Sequence, residues 1–302
     1  MNSNLDIAIV IPAYKSDFFK ETFESIINQT DSNFHVYIGN DAGDKKIEKI
    51  IYSFEERANM KITYRYFENN LGQTSLTAHW NRCLEMLQNE TWIWLFSDDD
   101  LMDKDCIKNF RKVQLKYPDI SVFKFNSIKF ANEKLLKKNI FPERFSQIDF
   151  LKIKFNYISE SYAVEYIFKK ELLNHCGYFP DFPLGWCSDD LFWIKCMSIS
   201  DIITIPESLV HWRYSGQNIS GRMNTKKIAE QKIHACILFM EELIKSDILE
   251  KDTEIEDSFF NWIINQYLYL KPNISKRAQK FYFSKIVESL PKTVNRNKTS
   301  KI

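Results

Sequence analysis

Trp92-Ile93-Trp94-Leu95-Phe96-Ser97-Asp98-Asp99-Asp100-Leu101-Met102 runs five apolar residues straight into three consecutive carboxylates. An apolar run without alternation is the mark of a parallel strand covered on both faces. Three acids at its end repel one another, and each needs water or a cation. Ligands of open α/β sheets bind beyond the carboxyl ends of the strands, and a divalent cation held there would bring a phosphate with it. The plainer alternative is a solvated acidic turn before a helix starting near Asp103, where acids suit the helix dipole.

The preceding chain supplies the rest of such a sheet. Leu5 to Pro12 reads as a strand, followed by a helix whose apolar residues fall at Phe19, Phe23, Ile26 and Ile27. Phe34–Gly39 and Ile62–Phe67 read as further strands, with helices over Ile47–Ala58 and along the Leu76, Trp80, Cys83, Leu84, Leu87 face. This alternation predicts a parallel sheet with helical crossovers. Each strand then ends in a polar loop, at Tyr14, Asp41, Asn70 and Asp98 to Asp100, and these loops gather along one sheet edge.

Farther on, a helix is expected to Lys116, ended by Tyr117-Pro118, then one or two strands over Ile120–Phe130. Lys134 to Phe145 reads as a basic, irregular connection, Ala163–Phe168 as a strand, and Cys176–Trp186 as a loop. Ser188 is a natural N-cap for a helix with Asp189 and Asp190 in its first turn. Ile202–Ile205 and Ser208–Arg213 look extended. After Ser220 the apolar spacing turns helical, in three segments. The expected organisation is an α/β domain over 1–220 and a helical extension over 221–302.

The 302 residues carry a net charge of +1, unevenly spread. From Lys271 onward nine basic residues face Glu288 alone, a tail of +8 that leaves the remainder at −7. Such a tail suits an anionic membrane surface, or is simply a solvated end. The acidic body and the lack of a reader motif exclude nucleic acid as the expected partner. Six cysteines without C-x-x-C spacing fit reduced, buried thiols. Met1 to Asn4 form no secretory leader, and no apolar run is long enough to span a bilayer. The expectation is a cytoplasmic protein, at most peripheral on the inner face of the membrane.

Val10-Ile11-Pro12-Ala13-Tyr14, Asn40-Asp41, Asn70-x-Gly72, Ser97-Asp98-Asp99-Asp100 and Ser188-Asp189-Asp190 occur in an order that resembles glycosyltransferase family 2. The segment from His211 to Ser220 also resembles that family's loop after the last sheet strand. The likeness covers roughly residues 5 to 220. It implies a GT-A fold, Rossmann-like and mostly parallel with helices on both faces. It further implies an inverting transferase using a nucleotide-sugar donor, UDP-linked first, and a glycan or lipid-linked acceptor.

By the same resemblance, Asp99 and Asp100, with His211, are the candidate ligands of Mn²⁺ or Mg²⁺. Ser97 stands where many members have the first acid. Pro12, Ala13, Tyr14, Asp41, Asn70, Asp98 and Arg213 are candidate donor-binding positions: Asp41 for the nucleobase, Tyr14 beside it, and Arg213 for the diphosphate through its planar fork. Asp41 and Asn70 also suit turns that hold their own loops. The family's helical Arg-Asn pair is here His79-Trp80-Asn81-Arg82.

An inverting transfer needs a base for the acceptor hydroxyl. Asp189 matches it, with Asp190 as the fallback. Two acids in a first helical turn also stabilise the dipole, which lowers their basicity unless burial or a neighbouring acid opposes it. Trp186 and Trp193 flank these acids and suit either sugar stacking or a core. Two other readings stay open. A sugar-nucleotide pyrophosphorylase would show a Gly-rich phosphate loop after the first strand, which Pro12-Ala13-Tyr14-Lys15 lacks. A non-catalytic nucleotide- or carbohydrate-binding module would not need the acids at 41, 98–100 and 189–190.

Overall fold

A computed structural model describes residues 6–216, 218–219, 224–249 and 252–289. Strands β1 (Ile7–Ala13), β2 (His35–Asp41), β3 (Lys61–Phe67) and β4 (Trp92–Leu95) alternate with helices α1 (Phe19–Ile27), α2 (Lys46–Ser53) and α3 (Leu76–Leu84). β1 lies parallel between β2 and β4, and β2 pairs in parallel with β3. Ile7, Ile9 and Ile11 enter one core with α1 and α2, whereas Ala8 and Val10 enter a second core on the opposite face. Because both faces are packed, β1 shows no polar alternation.

The chain continues through β5 (Leu101–Met102), α4 (Cys106–Lys116), β6 (Val122–Ala131), β7 (Lys134–Asn139), β8 (Arg144–Phe145), α5 (Gln147–Phe155), β9 (Tyr166–Lys169), α6 (Leu172–Cys176), α7 (Ser188–Cys196) and β10 (Ile202–Arg213). The sheet runs β3-β2-β1-β4-β9-β6-β10-β5, with β7 on β6 and β8 on β10. β9 is antiparallel to both β4 and β6, so the sheet is mixed: parallel through its first half and reversed at β9.

Several local expectations are corrected. Lys134–Phe145 is not irregular but forms β7 and β8, and Asn132-Glu133 make the hairpin turn with both residues at positive φ (46° and 63°). Ala163–Glu165 is a 3₁₀ turn, and the strand starts only at Tyr166. β10 is one strand, with a register shift between Ile205 and Leu209 around Pro206, which has no N–H to donate. Ser188 is the first residue of α7 rather than its cap; Cys187 holds the cap position at φ 64°. Helix α5 escaped the sequence reading, although Ser146 and Asp149 form a capping box at its start.

Helices α8 (Lys226–Lys245), α9 (Thr253–Leu270) and α10 (Lys276–Ser289) complete the described chain. Their apolar faces join the second core, where Phe155 meets Phe259 at 5.0 Å between ring centroids. The expected boundary at 220/221 falls outside the described residues, as do Gln217 and Ser220 of the segment after β10 and the tail residues Lys292, Arg296, Lys298 and Lys301. Among the described residues no helix is long and apolar enough to cross a membrane.

Candidate active site

The loops that leave the strand ends open into a cleft of about 950 Å³. Pro12, Ala13, Tyr14, Asp41, Asn70, Asp98, Asp99, Asp100, Asp189 and Asp190 all line it. Nearly the whole candidate set, drawn from five separate stretches, therefore shares one cavity. Gln231, Trp262 and Gln266 reach the same cavity from α8 and α9.

Buried Asp41 ends β2 and accepts the N–H groups of Leu71 at 2.8 Å and Gly72 at 2.7 Å. Arg82 pairs with Oδ1, the oxygen that also accepts from Leu71, and donates to His79 Nδ1 at 3.0 Å. Burial pushes His79 down to about 4, opposed by Asp41, so its ring is neutral and accepts from Arg82. Arg82 thus supplies, from within the His79–Arg82 turn of α3, the cation that the sequence left in doubt. Gly72 is needed here because a Cβ would lie 2.7 Å from Asp41 Oδ2.

The three acids after β4 have three different settings. Oδ2 of Asp98 accepts the N–H groups of Tyr14 at 2.8 Å and Lys15 at 2.9 Å, which ties the loop after β1 to the end of β4. Burial pushes the Asp98 carboxyl up, against these donors. Asp100 is 2% exposed. The Ser97 hydroxyl donates to its Oδ2 and the Arg213 N–H to its Oδ1, both at 2.7 Å. Ser97 therefore donates where a fourth acid would repel. Burial, then Asp99, hold Asp100 well above the usual carboxylate range. Asp99, on the cleft wall, is pushed up to about 6 by burial and then by the Asp98 charge.

This donor set fits a divalent cation of the kind that keeps water and phosphate ligands. Asp99 and the remaining oxygen of Asp98 could supply one or two carboxylates, the usual protein share for Mg²⁺ on a diphosphate. Among the described residues no group of three His, Cys, Asp or Glu forms an all-protein cage. Two expected site residues, the metal ligand His211 and the diphosphate partner Arg213, lie away from the cleft. His211 Nε2 lies 2.8 Å from Asp103 Oδ1, because pairing of β10 with β5 sets His211 opposite Leu101. Arg213 is likewise committed: Nε donates to the Asp99 carbonyl, a guanidinium N–H donates to Glu21, both at 2.7 Å, and the plane lies over Phe18. The arginine braces the acidic loop from behind.

Asp189, in the first turn of α7, lines the same cleft. Burial, then the Asp190 charge, push its carboxyl up to about 8, and Lys154 opposes them. The helix dipole is thus outweighed. Asp190 is 6% exposed, and its Oδ2 lies 2.6 Å from Lys154 Nζ of α5. Burial pulls Lys154 down, and Asp190, together with Cys187 and Asp189, more than offsets that. Trp186 borders the cleft, whereas Trp193 is core, stacked on Tyr166 at 4.2 Å. The third wall went unpredicted: Lys129 and Lys137 flank Glu160 at 3.2 and 3.6 Å, and Tyr162 stacks on Trp212 at 4.2 Å.

A sequence model of glycosyl transferase family 2 matches residues 8–174, more than half of the chain. The chain belongs to this family. An uncharacterized glycosyltransferase of Methanocaldococcus jannaschii is 26% identical over 198 residues, 64% of this chain and 64% of that protein. The chain thus spans just under two thirds of that relative's length. Among solved structures, S. aureus TarS 1-349 in complex with UDP-GlcNAc superposes with a TM-score of 0.72 at 15% identity, covering 95% of this chain and 82% of that one. A mannosyltransferase of Pyrobaculum calidifontis, in complex with GDP-Man and Mn²⁺, gives a TM-score of 0.58 at 14% identity, covering 95% of this chain and 81% of that one. The fold is therefore the GT-A fold of these glycosyltransferases. For a family 2 chain, the matched segment holds the Asp41 and Asp98–Asp100 loops, and Asp189 lies beyond its end.

Proposed function

We propose that the protein is an inverting glycosyltransferase that moves a sugar from a nucleoside diphosphate donor to a hydroxyl of a glycan or lipid-linked acceptor. The observation that carries the reading is that Asp99 and Asp189, ninety residues apart in sequence, border one cleft with carboxyls of raised pKa. Asp41 and Tyr14 border the nucleobase end, and a UDP-sugar is the first donor to test. Asp99, with Asp98, would hold Mn²⁺ or Mg²⁺, which when bound would neutralise charge on the departing diphosphate.

In the transfer, the acceptor oxygen forms a bond to the anomeric carbon as the bond from that carbon to the diphosphate oxygen breaks. The leaving diphosphate takes that electron pair, and the acceptor proton passes to a carboxylate oxygen of Asp189. Attack from the face opposite the leaving group inverts the anomeric centre. Asp190, neutralised by Lys154, keeps Asp189 basic without competing for the proton. TarS and the Pyrobaculum enzyme, solved with UDP-GlcNAc and GDP-Man, support a nucleotide-sugar donor.

The test combines a thermal-shift screen of nucleotide sugars, with and without Mn²⁺, and donor turnover by wild type and Asp189→Asn. A donor that raises the melting temperature only with Mn²⁺, and whose turnover falls at least about a hundredfold in the variant, supports the reading. Failure of every donor to bind would sink it.

A further inference from the structure

The hairpin of β6 and β7 carries Lys134-Leu135-Leu136-Lys137-Lys138-Asn139-Ile140, in which Leu135, Leu136 and Ile140 are 56%, 51% and 56% exposed. Successive residues of a strand point to opposite faces, so adjacent leucines ordinarily place one side chain in a core. Here both stay in water. Among the described strands β7 pairs with β6 alone, and the register shifts between Lys129 and Phe130, which leaves Leu136 as the extra residue. β6 stays paired with β10 as far as Phe130, so the exposed leucines belong to the outer strand of the hairpin, where polar residues would serve the fold equally well.

The neighbouring loop extends this surface. Ile158 is 65% exposed. Two residues on, the Glu160 N–H donates to Asn139 Oδ1 at 3.1 Å, and the Glu160 carboxylate lies 3.6 Å from Lys137. The aliphatic residues therefore form one rim. The rim is also basic: Lys134 and Lys138 are exposed and make no ion pair among the described residues, Lys129 and Lys137 share the charge of Glu160, and Glu133 in the hairpin turn is the other acid, which leaves the rim at +2. Lys137 and Glu160 line the cleft, so the rim borders its mouth. Lysines on an edge strand guard against edge pairing, which accounts for the charges and leaves the leucines unexplained.

We propose that this rim docks the protein on an anionic lipid bilayer. Leu135, Leu136, Ile140 and Ile158 enter the boundary between headgroups and acyl chains, and Lys134 and Lys138 meet the anionic headgroups. The mouth of the cleft then faces the lipid surface, where a lipid-anchored acceptor would stand. The docking does not depend on the transferase reading.

Cosedimentation of the full chain with vesicles of phosphatidylcholine, or of equal parts phosphatidylcholine and phosphatidylglycerol, tests this. Wild type should bind the anionic vesicles, less so as salt rises, and bind the neutral ones weakly. Leu136→Ser/Ile140→Ser should weaken binding at least about tenfold, and Lys134→Ser/Lys138→Ser by roughly ten- to thirtyfold with a shallower salt dependence. Both variants should keep wild-type melting temperatures and donor turnover. Wild type that ignores anionic vesicles overturns the proposal, as do variants that bind like wild type, which would assign attachment to the basic C-terminal segment. A concentration-dependent dimer in light scattering, lost in the leucine variant without vesicle binding, would assign the rim to a second copy and also overturn it. Absent donor turnover with intact vesicle binding would reject the transferase reading alone.

Discussion

Lys154 Nζ lies 2.6 Å from Asp190 Oδ2, joining α5 to the first turn of α7. The ion pair separates two adjacent acids into different roles. Asp190 is buried and paired, with Oδ1 left without a partner among the described residues, while Asp189 borders the cleft with a raised carboxyl pKa.

Lys154→Met should therefore destabilise the protein by about 3–5 kcal/mol, because a buried carboxylate loses its counter-charge. Urea unfolding measures this. Lys154→Met/Asp190→Leu should recover much of the loss, since an apolar pair restores neutrality. In the single variant the loss of Lys154 should also move the Asp189 pKa further up, displacing the pH profile in the same direction.

Asp189 fixes the sign of the pH dependence. With its carboxyl near 8, the basic form grows in as pH rises. Turnover at low donor should be half-maximal near pH 8 and level off roughly one unit above it, with that limb absent in Asp189→Asn. Stability runs the other way. The folded-state pKa lies above the unfolded value of about 4, so between the two the folded chain holds a proton that the unfolded chain has lost. Its contribution to stability then falls as pH rises through that window. Asp189→Asn should melt higher than wild type at pH 8, and the difference should vanish near pH 4.

Asp41 and Arg82 make a second testable unit. Asp41→Ala removes the acceptor of two backbone N–H groups and the partner of Arg82, all near the buried His79 ring. A loss of roughly 2–4 kcal/mol in urea unfolding is expected. Arg82→Lys should be milder for stability and still weaken donor binding, because an ammonium does not reproduce the fork shared by Asp41, the Asn69 carbonyl and His79.

The elements legible in the sequence are those whose pattern has a local cause. β1 and β4 are apolar throughout because each is packed on both faces, and the acid loops follow from the strand ends. What was not legible depends on tertiary register. Nothing near His211 announces Asp103, which it meets because β10 runs antiparallel to β5. Arg213 points away from the cleft because Glu21 and Phe18 of the α1 region are behind it. β7 hid because Leu135 and Leu136 break the alternation of a packed strand, and they do so because neither is packed. Lys154 was one lysine among several until α5 came to lie against α7.

The metal assignment separates Asp99 from its neighbours. Asp100→Asn must turn an amide N–H toward either the Ser97 hydroxyl or the Arg213 N–H, so a loss of about 1–3 kcal/mol of stability is expected whether or not a metal is present. His211→Ala breaks a half-exposed pair with Asp103, worth at most about 1 kcal/mol, and should leave the response to Mn²⁺ unchanged. Asp99→Asn relieves repulsion from Asp98, so the ligand-free protein should melt no lower than wild type. The same variant should lose the additional thermal shift that Mn²⁺ confers with donor. If Asp99→Asn keeps that shift and His211→Ala loses it, the cation sits on β10 and the assignment to Asp99 is wrong.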